Sequence, residues 1–159
     1  MPKIVVYDKA TWHYEGDFPK DLPLKQAFVH IGLFLTWLVM RDLTSATFNE
    51  DFAAEIAQLR RRKLTGPRLL KVADGVFASD MLNTMGNAFT RAYYYAKRGK
   101  YLEDYDDLLG ADCPSLYHVR DTWANFDALR TRVDERFRSW LSKHAKGPSH
   151  ERLSVLRKK

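Results

Sequence analysis

Residues 27–40 read AFVHIGLFLTWLVM, a run interrupted only by His30, Gly32 and Thr36. A helix that is apolar on every side must be covered on every side, so this stretch predicts a central buried helix. It is too short to cross a bilayer, which takes about 20 residues. Leu22-Pro23 upstream and Arg41-Asp42 downstream close it off, placing the helix over residues 22–43. Proline is suited to a first helical turn, where its missing N–H costs nothing.

On the upstream side, Ile4-Val5-Val6-Tyr7 is a short β-prone run, either an edge strand or an extended arm. Between it and the helix, KATWHYEGDFPKDLP (9–23) reads as an ordered loop laid over the core. Trp12, Tyr14 and Phe18 supply its packing; Gly16 and Pro19 supply its turns. Downstream, Thr47-Phe48-Asn49-Glu50 has the form of a capping box. Phe48, Phe52, Ile56 and Leu59 then recur at helical spacing and predict a second, amphipathic helix. Leu69, Leu70, Val72 and Ala73 predict a short helix ending near Asp74-Gly75. Ser79 or Asp80 is the expected cap of the next, whose apolar face is Leu82, Met85, Phe89, Ala92 and Tyr93, with Gly99 as its stop. Tyr101, Leu102, Tyr105, Leu108 and Leu109 add a further amphipathic turn or two. Asp121 is the expected cap of a long helix carrying Trp123, Phe126, Leu129, Val133, Phe137, Trp140 and Leu141. The fold class expected is all-α: an irregular or orthogonal bundle of five to six helices around the central one. Residues 1–145 form one helical domain, followed by a basic, mobile tail at 146–159 with a weak helix at 152–156.

The 159 residues suffice for a single domain with its own core, and 45% apolar content excludes wholesale disorder. The amino terminus has no long apolar stretch, so no secretory signal is expected there. Cys113 is the only cysteine, which fits a reducing cytoplasm. The net charge is +6, yet Lys146, Arg152, Arg157, Lys158 and Lys159 against Glu151 put +4 of it in the tail and leave +2 on the body. A dedicated nucleic-acid binder usually carries its charge on a folded face. Nucleic acid is therefore not the expected partner, although Arg60, Arg61, Arg62 and Lys63 with the tail offer an alternative route to one.

The five histidines, His13, His30, His118, His144 and His150, show no metal-ligand spacing, so neither a metal nor another cofactor is expected. His30, inside the central helix, is expected to be a buried imidazole bonded to a nearby carbonyl or carboxylate. Trp12, His13, Asp17, His30 and His118 are the candidates for a pocket or structural polar network, with His13 and His118 meeting over the core. Cys113 and His118, five residues apart in an irregular loop, have no geometry that would make a nucleophile and base. No catalytic residue is assigned. Glu103, Asp104, Asp106, Asp107 and Asp112 form an acidic cluster without the glycine and terminal glutamate of a calcium loop. Such carboxylates suit either a solvated face or a surface that docks a basic partner. Of Tyr93, Tyr94 and Tyr95, at least one must reach the surface, so Tyr94 or Tyr95 is the expected interface anchor beside the acids.

Five stretches carry a resemblance: YDKATWHYEGDFPKDLP (7–23), HIGLFLTW (30–37), TGPRLL (65–70), GKYLEDY (99–105) and SLYHVRDTWANF (115–126). Over roughly residues 4–141 the chain resembles an uncharacterised bacterial domain family of about this length. Members of that family resemble small cytoplasmic proteins found beside polymorphic toxins. The resemblance implies a cytoplasmic immunity protein that neutralises an effector toxin by direct binding, and it supplies no residues of established function. A small ligand-binding or enzymatic domain around His13 and His118 is the other alternative.

Overall fold

The structure, a computed structural model, describes residues 3–145. The expected tail and its weak helix lie outside the described residues. Among these are eight α-helices, seven of them arranged around α2 (Val29–Met40), in which every residue from Val29 to Val39 is buried. The central helix is shorter than its sequence suggests, because Leu24–Phe28 enters it as a turn of 3-10 helix. The side chain of Thr36 donates back to the Gly32 carbonyl, which satisfies a hydroxyl in a fully apolar setting.

Against α2 lies α5 (Gly66–Val72), whose Gly66 and Pro67 sit directly against Gly32 and Thr36. Helix α8 (Trp123–Ala145) also packs against α2. Phe126, Leu129, Val133 and Phe137 of the expected stripe are buried, and Asp134 accepts a 2.8 Å hydrogen bond from the Trp37 indole. Helix α8 is capped one residue later than expected: the Thr122 hydroxyl accepts from the Asn125 amide, while Asp121 accepts from Thr65.

The remaining helix boundaries also differ from the sequence reading. The second helix is broken at Phe52 into α3 (Ala46–Asp51) and α4 (Ala53–Arg60), and its cap is Ser45 rather than Thr47. Helix α6 (Thr84–Thr90) is capped by Asn83, because residues 76–81 are used otherwise. They form strand β2 (Val76–Ala78) and a 3-10 turn at Ser79–Met81. The mostly helical expectation holds, and the β-prone N-terminal run becomes one strand of a small antiparallel sheet, in which β2 pairs with β1 (Val6–Lys9). Val6 faces Ala78 and Asp8 faces Phe77, so Tyr7 is an extra residue, a β-bulge. In a regular strand neighbouring side chains point to opposite faces. Here Tyr7 and Asp8 are both buried.

The loop after β1 carries a short helix, α1 (Ala10–Tyr14). Two widened helical turns complete the fold, one at Arg91–Tyr95 after α6 and one at Asp106–Gly110 after α7 (Tyr101–Tyr105). Such π-turns are uncommon and often mark functional positions. The first of them directs both Tyr93 and Tyr94 inward: Tyr93 donates to Asp104 and Tyr94 to Asp8. Tyr95 is left outside, 51% exposed.

Candidate functional site

The bulge delivers Asp8 to two histidines that the sequence keeps apart. His13 comes from α1 and His30 from the first turn of α2. Asp8 Oδ1 lies 2.7 Å from His13 Nε2, and Asp8 Oδ2 lies 3.5 Å from His30 Nε2. The two Nε2 atoms are 3.2 Å apart, with their rings perpendicular at 85°. Each outer partner then has a hydroxyl behind it. Tyr117 meets His13 Nδ1 at 2.7 Å, and Tyr94 donates to Asp8 Oδ2 at 2.6 Å. Tyr101 donates to the His30 carbonyl, which fixes the helix backbone beneath the imidazole.

The electrostatics follow from burial. Desolvation by itself would raise the Asp8 carboxyl, but the hydrogen bonds and charges of His13 and His30 outweigh it and hold Asp8 well below the usual carboxylate range. Burial pushes His30 down, only partly opposed by Asp8. Burial, reinforced by the Asp8 charge, keeps Tyr94, Tyr101 and Tyr117 protonated, and Tyr94 and Tyr101 act as hydroxyl donors. The centre is therefore an ionised carboxylate facing two imidazoles, of which His30 is neutral. The His30 side chain is 1% exposed and that of His13 19%, so the cluster is closed on the α2 side and reachable from the α1 side. Among the described residues, His30 Nδ1 and the Tyr105 hydroxyl are buried without a hydrogen-bond partner.

Among the described residues, His13, Asp8 and His30 form a group of side chains whose ligand atoms converge, all within 4.8 Å of one another. Ligands held 2.0–2.1 Å from a tetrahedral ion are about 3.3 Å apart, close to the separations found here. Two imidazoles and one carboxylate suit a divalent first-row ion, not Mg²⁺ or Ca²⁺, which take oxygen ligands.

The other residues singled out in the sequence sit elsewhere. His118 bonds Ser115 and faces Asp21 at 3.9 Å, while its neighbour Tyr117 is the one that reaches His13. Trp12 is exposed under the Lys9 ammonium, and Asp17 is exposed on the loop after α1. The Cys113 thiol is turned to the Leu109 carbonyl. In the acidic segment Asp104 is not part of an open surface. It is 2% exposed and bound by Arg132, Arg136 and Tyr93. Asp107 lies 3.5 Å from Arg132, Glu103 pairs with Lys100, and Asp106 and Asp112 are exposed. Tyr94, expected at a partner surface, instead serves Asp8 from within. Of the cationic quartet, Arg60 is held by Asp42 and the Val39 carbonyl, and Arg62 by both oxygens of Asp127. Asp8 and Tyr117 are site members that sequence reasoning did not assign, and Tyr94 is one that it placed at a partner surface instead. The signal for Asp8 was one carboxylate in an otherwise β-prone run.

Residues 6–119 match the family described as Domain of unknown function (DUF7832). The chain belongs to the DUF7832 family. The matched span runs from before Asp8 to beyond Tyr117, so every member of the cluster lies within the DUF7832 domain, while α8 lies outside it. Neither a curated protein nor a solved structure matches the chain. No helix among the described residues is long and apolar enough to cross a membrane.

Proposed function

We propose that the chain is a metal-dependent protein binding one divalent first-row ion through Asp8, His13 and His30. The observation that carries this reading is the approach of two imidazole Nε2 atoms to 3.2 Å above one buried carboxylate. Three protein ligands with a reachable side are the arrangement of catalytic zinc, whereas structural zinc is closed by four. An ion held there would supply Lewis acidity to a water or substrate oxygen arriving from the α1 side. Tyr117, on His13 Nδ1, orients the imidazole so that Nε2 faces the centre.

Metal-stripped protein titrated with Zn²⁺ should bind one equivalent, and Co²⁺ should give the visible bands of a low-symmetry site. Tyr117→Phe should weaken binding by roughly 10-fold, within the range for an outer partner of a ligand. Asp8→Asn and His13→Ala should cost more. If the wild type binds Zn²⁺ no more tightly than His13→Ala, with both variants folded by circular dichroism, the cluster is a hydrogen-bond network and the reading is wrong.

A second reading is favoured by a separate observation. Tyr95 and Leu102 are 51% and 47% exposed, and Leu102 is followed by the exposed carboxylates of Glu103, Asp106 and Asp107. An apolar anchor with an acidic rim suits a basic protein partner. This supports the immunity-type role, in which the chain neutralises an effector toxin by direct binding. Reversing Asp106 and Asp107 to lysine should weaken capture of a cognate toxin by roughly 10-fold or more. Unchanged capture would remove this surface from consideration.

A further inference from the structure

A cavity of about 840 Å³ opens between the 3-10 turn at Leu24–Phe28, helix α5 and residues 120–122. Its volume is in the range that holds a small organic ligand. Lys25, Arg68, Lys71 and Arg120 line it, and none of the four makes a side-chain ion pair among the described residues. Elsewhere Arg60, Arg62, Arg132 and Arg136 are each held by an aspartate. One carboxylate, Asp121, stands among these cations. Its Oδ2 accepts from Thr65 at 2.6 Å, while Oδ1 is buried and has no partner among the described residues. Phe28 and Leu64 contribute an apolar wall.

These features make complementary demands on one ligand. Four exposed cations converging on one cavity favour a multiply charged anion, and two arginines favour phosphate oxygens, which their planar guanidinium groups can grip in pairs. Asp121, on the cavity wall, offers an acceptor to a hydroxyl or N–H of the same ligand. The apolar wall suits a flat ring. A nucleic-acid strand would need a basic track along the surface, whereas these cations converge on one cavity. We infer that this cavity binds a small phosphorylated molecule of the nucleotide class, its phosphates on Arg68, Arg120 and the lysines and a hydroxyl or ring N–H on Asp121. The site is independent of the metal reading, since it shares no residue with the Asp8 cluster.

Calorimetry with ADP, adenosine and inorganic phosphate, each in excess EDTA, separates the contributions. ADP should bind at least tenfold more tightly than either fragment. Arg68→Ala with Arg120→Ala should weaken ADP by tenfold or more, in protein whose melting temperature is unchanged. Asp121→Asn divides the outcomes further: it removes a negative charge, so phosphate should bind equally or more tightly, while ADP weakens. Should ADP bind no better than phosphate, or Asp121→Asn tighten both alike, the cavity is a non-selective patch of cations and the inference fails. If the Asp121 variant misfolds, pyrophosphate on the wild-type protein takes its place: ADP should bind at least tenfold more tightly, and equal affinity overturns the inference.

Discussion

Replacing Gly32 by alanine should destabilise the protein by more than about 3 kcal/mol, at the upper end of what overpacking costs. A methyl group at this position would overlap the backbone nitrogen and Cα of Pro67 and come within 2.7 Å of its ring. Side chains can rotate out of a clash; the first turn of α5 cannot, because it is rigidified by the proline and packed flat on α2. The reciprocal substitution, Gly66→Ala, would drive its methyl into the Thr36 hydroxyl and the Gly32 carbonyl, breaking the bond between them. Each should therefore be severe, and chemical denaturation measures both. A Gly32→Ala protein within 1 kcal/mol of wild type would show that α2 and α5 do not touch at this point.

Asp104→Asn is the second large effect, expected at about 2–4 kcal/mol near neutral pH. The carboxylate is buried and accepts from Tyr93, Arg132 and Arg136 together, so the amide leaves two arginines facing a group that has lost its charge. Those arginines are 28% and 41% exposed and keep part of their hydration, which holds the cost below that of a wholly buried pair. Burial alone would raise the Asp104 carboxyl; Arg136, Tyr93 and Arg132 outweigh it and place it below the ordinary value of 3.8. Because the folded value is the lower one, the stabilisation is complete above pH 3.8 and is lost as the pH falls through the folded value. The difference between wild type and Asp104→Asn should thus narrow under acid conditions. Asp107→Asn, at a 69% exposed carboxylate 3.5 Å from Arg132, should change stability by no more than about 0.5 kcal/mol. Equal losses at both positions would contradict the central place of Asp104 between α7 and α8.

The apolar run at 27–40 and the stripe on α8 were legible because each is a local pattern whose period declares its environment. Helix ends were less so. Thr47 and Ser45 both offer hydroxyls, and only the path of the chain after the Thr44–Leu82 bridge decides between them. The sheet was hidden for a different reason. Val76–Ala78 is three residues long, and its partner lies some 70 positions earlier, so no periodicity within a window exposes the pair. The site inherits that difficulty. His13 and His30 stood out individually, but a spacing of seventeen residues across a loop corresponds to no ligand pattern. Their meeting point depends on Asp8, which is placed by the sheet, and on Tyr117, which is more than a hundred residues from His13. Asp104 misled for the opposite reason: five carboxylates within ten residues suggest an open face, and the arginines that close over one of them are 28 and 32 positions further on.

Tyr7, the extra residue in β1, gives the site an unusual kind of code. Its identity matters to the core, through ring contacts with Phe77 and Tyr95 and a hydrogen bond to Asn87, but its presence as one additional unit of chain sets the phase of everything before α1. Remove one residue there and the alternation of the pleat would carry the Asp8 carboxylate to the opposite side of the ribbon. The carboxylate's meeting with the histidines is written in the length of the strand as much as in its letters, so an insertion or deletion at residues 6–7 should part them while leaving Asp8, His13 and His30 all in the chain.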